Sequence, residues 1–230
     1  MSKLKKLFDY FTKGELILWS ASVFFIVTFY CLFDGSSYLN VTASVIGVTS
    51  LIFNAKGNPI GQVLMVIFSI MYGVISYGAA YYGEMITYLG MTAPMAVIAL
   101  VAWLKNPYKG NKSEVAIGHV SGKEYAFMLV LSAALTVLFY FILSALGTAS
   151  LIPSTVSVTT SFIAAYLTFR RIPAFALAYA ANDVVLIVLW ILASRSNTSA
   201  VSVTVCFAAF LVNDIYGFIS WQKMKRRQQS

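Results

Sequence analysis

Apolar stretches long enough to cross a bilayer follow one another along this chain with only short polar breaks between them. They cover residues 15–33, 41–55, 59–79, 85–104, 124–147, 154–169, 172–193 and 198–221. A bilayer core takes about 20 residues of helix. Backbone polar groups in hydrocarbon must be satisfied within their own segment, so the pattern predicts eight transmembrane helices rather than strands or loops.

The polar breaks set the orientation. Threaded as eight helices, the chain puts Lys3, Lys5, Lys6, Lys13, Lys56, Lys105, Lys109, Lys112, Lys123, Arg170, Arg171, Lys223, Lys225, Arg226 and Arg227 on one side, and only Arg195 on the other. Basic residues near helix ends resist translocation, which predicts a multi-pass membrane protein with both termini cytoplasmic. A seven-helix threading would scatter the clusters. With 60% hydrophobic and 10% charged residues among 230, no soluble domain is left room, and the connection 105–123 is too short to hold a core. The net charge of +8 is accounted for by topology, so the expected partner is the lipid bilayer and not a nucleic acid. Residues 1–33 combine a basic start with an apolar run too long for a cleaved leader, and they are expected to form the first membrane helix.

Two stretches look alike. Thr42-Ala-Ser-Val precedes Pro59, which opens a helix, and a third helix closes at Trp103; Thr155-Val-Ser-Val precedes Pro173, and a third helix closes at Trp221. Proline at a helix start sacrifices no hydrogen bond. Three helices cross an odd number of times, so one extra helix, 124–147, is needed to give the second triplet the orientation of the first. The predicted fold is all-α: two parallel three-helix repeats joined by a linker helix, in the 3+1+3 manner of SWEET-type carriers, plus an N-terminal helix. The expected organisation is 1–40 for the N-terminus and peripheral helix, 41–104 for the first repeat, 105–147 for the loop and linker helix, 148–222 for the second repeat, and 223–230 for a basic tail.

Polar groups at membrane depth supply the candidate chemistry. Tyr179, Asn182, Asp183, Leu186 and Trp190 recur at three- and four-residue spacing and share a helix face. A carboxylate and an amide flanked by aromatics suit a flat, polar or cationic ligand, since aromatic faces attract cations; the competing reading is an interhelical bond that only fastens the bundle. Tyr72, Thr87 and Tyr88 are candidates for an opposite wall. Short, hydroxyl-rich segments at matching places point to a site between repeats, and of these hydroxyls Thr159 and Thr160 are the expected pore-liners, the rest serving close packing. Asn213, Asp214 and Tyr216 are candidates for a cytoplasmic gate. Trp103, Tyr108, Tyr216 and Trp221 also fit an interfacial aromatic belt, and Glu84 is expected in the outer interface, solvated.

No enzyme signature is present. His119 stands in a polar loop without a ligand partner, Cys31 and Cys206 lie apart in apolar runs, and no phosphate-binding glycine loop or nucleophile elbow occurs. No metal and no cofactor are expected.

Phe53-Asn54-Ala55-Lys56-Gly57 with Pro59, Tyr81-Tyr82-Gly83-Glu84-Met85, Trp103, and Asn213-Asp214-Ile215-Tyr216-Gly217 through Trp221 resemble the PnuC family of bacterial vitamin transporters over roughly residues 40–223. The resemblance implies uptake of nicotinamide riboside, an NAD precursor, by facilitated diffusion, with a cytoplasmic kinase trapping the vitamin by phosphorylation. It further implies a central site between the triplets, near Thr87 and Tyr88 and near Tyr179, Asn182 and Asp183. Thr87-Tyr88 stands where many nicotinamide riboside carriers have Gln, and Tyr179 where they have Trp. Thiamine, riboflavin and deoxynucleosides, carried by relatives, stay open as ligands. An ion or proton channel is the rival of a different class, and homo-oligomerisation is undecided by the chain.

Overall fold

The computed structural model describes residues 10–230; Lys3, Lys5 and Lys6 of the charge pattern lie outside them. Eight helices among the described residues are long and apolar enough to span a membrane: α1 (Lys13–Phe33), α2 (Tyr38–Ala55), α3 (Ile60–Gly78), α4 (Tyr82–Lys105), α5 (Gly122–Ala145), α6 (Leu151–Phe169), α7 (Phe175–Ser194) and α8 (Ala200–Gln229). Between α4 and α5 a short antiparallel hairpin, β1 (Pro107–Tyr108) with β2 (Asn111–Val115), departs from the all-helical expectation. The last helix also runs past 221 to Gln229. Its end is held there because Arg227 pairs with Glu114 and the Gln228 amide donates to the Val115 carbonyl at 3.1 Å.

Two corners on the basic side have the same geometry. After α2 the chain turns through Gly57 (φ 65°) into Pro59; after α6 it turns through Arg171 (φ 61°) into Pro173. At both, the left-handed residue's N–H closes back on the helix, Gly57 to Asn54 and Arg171 to Thr168, as in a Schellman-type helix end. The intervening loop crosses beneath both, the Val115 N–H donating to the Gly57 carbonyl and the Gly118 N–H to the Arg171 carbonyl, each at 3.0 Å. Gly118 is required by close approach, because a Cβ there would stand 1.9 Å from the Arg170 carbonyl oxygen.

The tryptophans lock these corners crosswise. Trp103, ending α4, donates to the Thr168 carbonyl at 3.0 Å, and Trp221, on α8, donates to the Asn54 carbonyl at 2.7 Å. Their rings meet at 5.4 Å, and both are fully buried. The aromatic-belt reading of Trp103 and Trp221 is therefore wrong: each indole N–H reaches a helix-end carbonyl that has no partner within its own helix, and burial of the ring follows. Along the chain Asn54 and Thr168 are separated by the same 114 residues as Pro59 and Pro173.

The peripheral helix α1 is fastened by a buried carboxylate. Thr12 and Glu15 form a reciprocal capping box at its start, which satisfies two otherwise orphaned donors. Glu15 also accepts from Lys56 at 3.0 Å and from the Tyr216 hydroxyl at 3.1 Å. Deeper along α1, Trp19 donates to Thr49 at 3.0 Å, and Ser22 accepts from Asn213 at 2.9 Å.

Candidate functional site

Helix α4 is irregular where it meets the core. Residues Thr87–Thr92 form a π-helical turn, and Pro94 follows four residues after Gly90. Proline has no N–H to give the Gly90 carbonyl, so the regular ladder is interrupted at that step. Such wide turns often mark functional segments. Here the turn carries Thr87 and Tyr88 inward, both buried.

An aromatic cluster surrounds that turn. The Trp190 indole N–H donates to the Tyr72 hydroxyl at 2.7 Å, and Tyr72 packs edge-on to Tyr88 at 4.4 Å and to Phe207 at 5.2 Å. Tyr81 stands T-shaped to Trp190 at 5.4 Å while its hydroxyl donates to the Leu189 carbonyl at 2.8 Å. Phe68 closes the inner edge against Tyr88 and Phe210. Above Trp190, on the side away from the basic clusters, a cavity of ≈ 200 Å³ opens between the helix ends, lined by Ser37, Asn40, Asn197 and Ser199 and reaching the Trp190 ring.

Below the aromatics the lining becomes polar. Asn182 Oδ1 accepts hydroxyls from Thr160 at 2.7 Å, Ser161 at 3.1 Å and Ser157 at 3.3 Å, which leaves its amide donors for another partner. Asp183, next along α7, is buried within electrostatic reach of Tyr88, Tyr179 and Asp214. One of its carboxylate oxygens, both oxygens of Glu84 and the Thr87 hydroxyl are buried with no hydrogen-bond partner. Buried polar atoms are nearly always satisfied, so this concentration of open acceptors marks a place that a polar ligand or water would complete. Glu84, Asp183 and Asp214 are all buried, whereas no Lys, Arg or His is buried among the described residues.

Of the predicted residues, Tyr72, Tyr88, Thr87, Asn182, Asp183, Thr160 and Trp190 are brought together between α3, α4, α6 and α7, and Tyr179 lies one turn deeper, partly buried. Thr159 is not among them, because its hydroxyl bonds Thr136 of α5 instead. Asn213 and Tyr216 point to α1, through Ser22 and Glu15, whereas Asp214 turns toward Asp183. The expectation of a solvated Glu84 is overturned, since the side chain is fully buried. It starts a helix whose preceding turn, Ala79–Tyr81, is itself tucked under the α5–α6 connection, the Ala149 N–H donating to the Ala80 carbonyl.

Because Tyr216 reads as an anchor, Tyr216→Phe should lower stability by about 0.5–1.5 kcal/mol while leaving ligand affinity and transport rate unchanged. Thermal unfolding beside an uptake assay separates this from a gating role, which would alter the rate.

The family model described as nicotinamide mononucleotide transporter matches residues 37–223. The chain belongs to that family. Among relatives of the nicotinamide mononucleotide transporter family, the nicotinamide riboside transporter PnuC of Neisseria mucosa is 24% identical over 199 residues, covering 85% of this chain and 76% of the relative. The nicotinamide riboside transporter PnuC of Haemophilus influenzae is 24% identical over 192 residues, covering 83% and 82% respectively. A crystal structure of the vitamin B3 transporter PnuC shares the fold with a TM-score of 0.83 at 22% identity, over 95% of this chain and 94% of that one. The match spans all but a small part of the chain, so the eight-helix fold is the fold of this family.

Proposed function

We propose that the protein carries nicotinamide riboside across the bacterial inner membrane by facilitated diffusion, with both termini cytoplasmic. The observation that carries this reading is the charge of the interior: beside Glu15, which is paired with Lys56, three further buried carboxylates, Glu84, Asp183 and Asp214, have no cationic partner among the described residues. A buried carboxylate without a counter-charge is costly. The pyridinium of nicotinamide riboside supplies a permanent positive charge, its ring fits among Tyr72, Tyr88 and Trp190, and its ribose hydroxyls can use Asn182, Thr160 and the open Glu84 oxygens. The phosphate of nicotinamide mononucleotide would meet these carboxylates unscreened, so the phosphorylated form is excluded. A cytoplasmic kinase that phosphorylates the riboside would then hold it inside.

Transport alternates access by rocking two three-helix units, α2–α4 and α6–α8, joined by α5. The matched corners and the crossed Trp103–Thr168 and Trp221–Asn54 bonds support that division. The vestibule above Trp190 serves the outer approach.

Calorimetry on the detergent-purified protein tests the assignment with nicotinamide riboside, nicotinamide mononucleotide, thiamine, riboflavin and a deoxynucleoside. Binding of the riboside and none of its phosphate ester is expected. Binding of thiamine instead would keep the cation site and change the vitamin, and binding of a neutral nucleoside would overturn the charge argument.

A further inference from the structure

A second groove lies on the outside of the bundle, at the membrane edge of the basic side, between the ends of α4 and α6. Its volume is ≈ 470 Å³. Val97, Ile98 and Val101 form an apolar wall, each 45–47% exposed toward the bilayer. Lys105, Arg170 and Arg171 stand at its head. Arg170 is engaged, with Glu124 and with the His119 carbonyl, and packs over the Phe169 ring. Lys105 and Arg171 have no carboxylate partner among the described residues, and the Arg171 Nε is buried without a hydrogen bond. Burial and, after it, the neighbouring Arg170 both disfavour the charged Arg171 guanidinium, a situation that an anion would relieve.

Orientation by charge asks only for cations somewhere near the helix ends; it does not ask for arginine at this backbone position. Arg171 occupies the left-handed region that its counterpart corner fills with Gly57, a conformation uncommon outside glycine. Such retained strain accompanies function more often than chance placement. We propose that this groove binds one anionic phospholipid of the adjoining leaflet, its phosphate on Arg171 and Lys105 and its acyl chains along Val97, Ile98 and Val101. Apolar wall, depth and free cations together fit that ligand, as basic pockets between membrane helices do generally. A soluble anion would have no use for the apolar wall.

Native mass spectrometry of the full chain, titrated with phosphatidylglycerol and with phosphatidylcholine of the same acyl chains, is the test. One retained phosphatidylglycerol, preferred over phosphatidylcholine, is expected. In the double variant Lys105→Gln, Arg171→Gly the preference should fall about thirtyfold, at about 1 kcal/mol for each cation removed. Glycine suits the φ of residue 171, so the variant should unfold at the wild-type temperature or above, which separates lost lipid from lost fold. Equal retention of the two lipids by the wild type, or a preference that survives the double variant, would overturn the proposal. Displacement of the lipid by millimolar inorganic phosphate would overturn it in favour of a free-anion site. A changed oligomeric state with unchanged lipid retention would overturn it in favour of a second copy of the chain.

Discussion

Asp183→Asn lowers the affinity for nicotinamide riboside by roughly ten- to a hundredfold, the equivalent of losing a charge-assisted contact of about 1.5–3 kcal/mol. Asp214→Asn costs less. Both acids are buried, and they sit against each other across α7 and α8, yet they are not equivalent. Asp183 adjoins Asn182, whose carbonyl is committed to three hydroxyls, and reaches Tyr88 of the π-helical turn. Asp214 lies roughly one turn nearer the basic side by helix rise, away from the aromatic cluster. An asparagine at 183 keeps the shape and removes the charge, so the loss is specific to a cationic ligand. Calorimetric titration of both variants with the riboside, and with an uncharged nicotinamide analogue, checks this: the analogue should not distinguish wild type from Asp183→Asn. Wild-type affinity for the riboside in both variants would sink the assignment of Asp183 to the cation. Because the acids interact electrostatically, the double variant is expected to fall short of the sum of the two losses.

What the sequence discloses about this interior follows from which signals are local. Asn182, Asp183 and Trp190 stand out because a polar face on an otherwise apolar helix is visible within a single segment. Glu84 carries the same chemistry but precedes the apolar run, and its position there reads as the water interface. Only the packing of the Ala79–Tyr81 turn beneath the α5–α6 connection removes it from water. Asn213 and Tyr216 share a helix with Asp214, and no periodicity tells which of them meets a neighbouring helix whose placement is unknown. Their partners, Ser22 and Glu15, are 191 and 201 residues away. Thr159 and Thr160 are adjacent, so they must face different neighbours, and one of them had to leave the site: Thr160 went to Asn182 and Thr159 to α5. The hairpin after α4 is short and polar, with no alternating pattern long enough to announce a strand.

The tryptophans show the same limit and lead to the largest expected loss of stability. Trp103 and Trp221 sit at helix ends beside Lys105 and Lys223, the place where belt residues accumulate, and nothing in either segment shows that they meet. In the fold Trp221 contacts Trp103 at 5.4 Å and Phe175 at 4.8 Å, and fills the crossing point between α2, α4, α7 and α8. Its indole N–H satisfies the Asn54 carbonyl at the end of α2. Trp221→Ala empties that volume and leaves the Asn54 carbonyl with the Gly57 N–H alone, at a cost of about 3–5 kcal/mol for the large-to-small change. Trp221→Phe retains most of the packing and should cost about 0.5–1.5 kcal/mol for the lost indole hydrogen bond. Thermal unfolding in detergent, followed by circular dichroism, ranks the three proteins: wild type above Trp221→Phe above Trp221→Ala. Trp103→Ala is expected to match Trp221→Ala, since the two indoles make the same kind of bond to corners 114 residues apart. The double alanine variant should lose less than the sum, because each ring is the other's neighbour. Equal midpoints for Trp221→Ala and wild type would return the residue to the lipid interface.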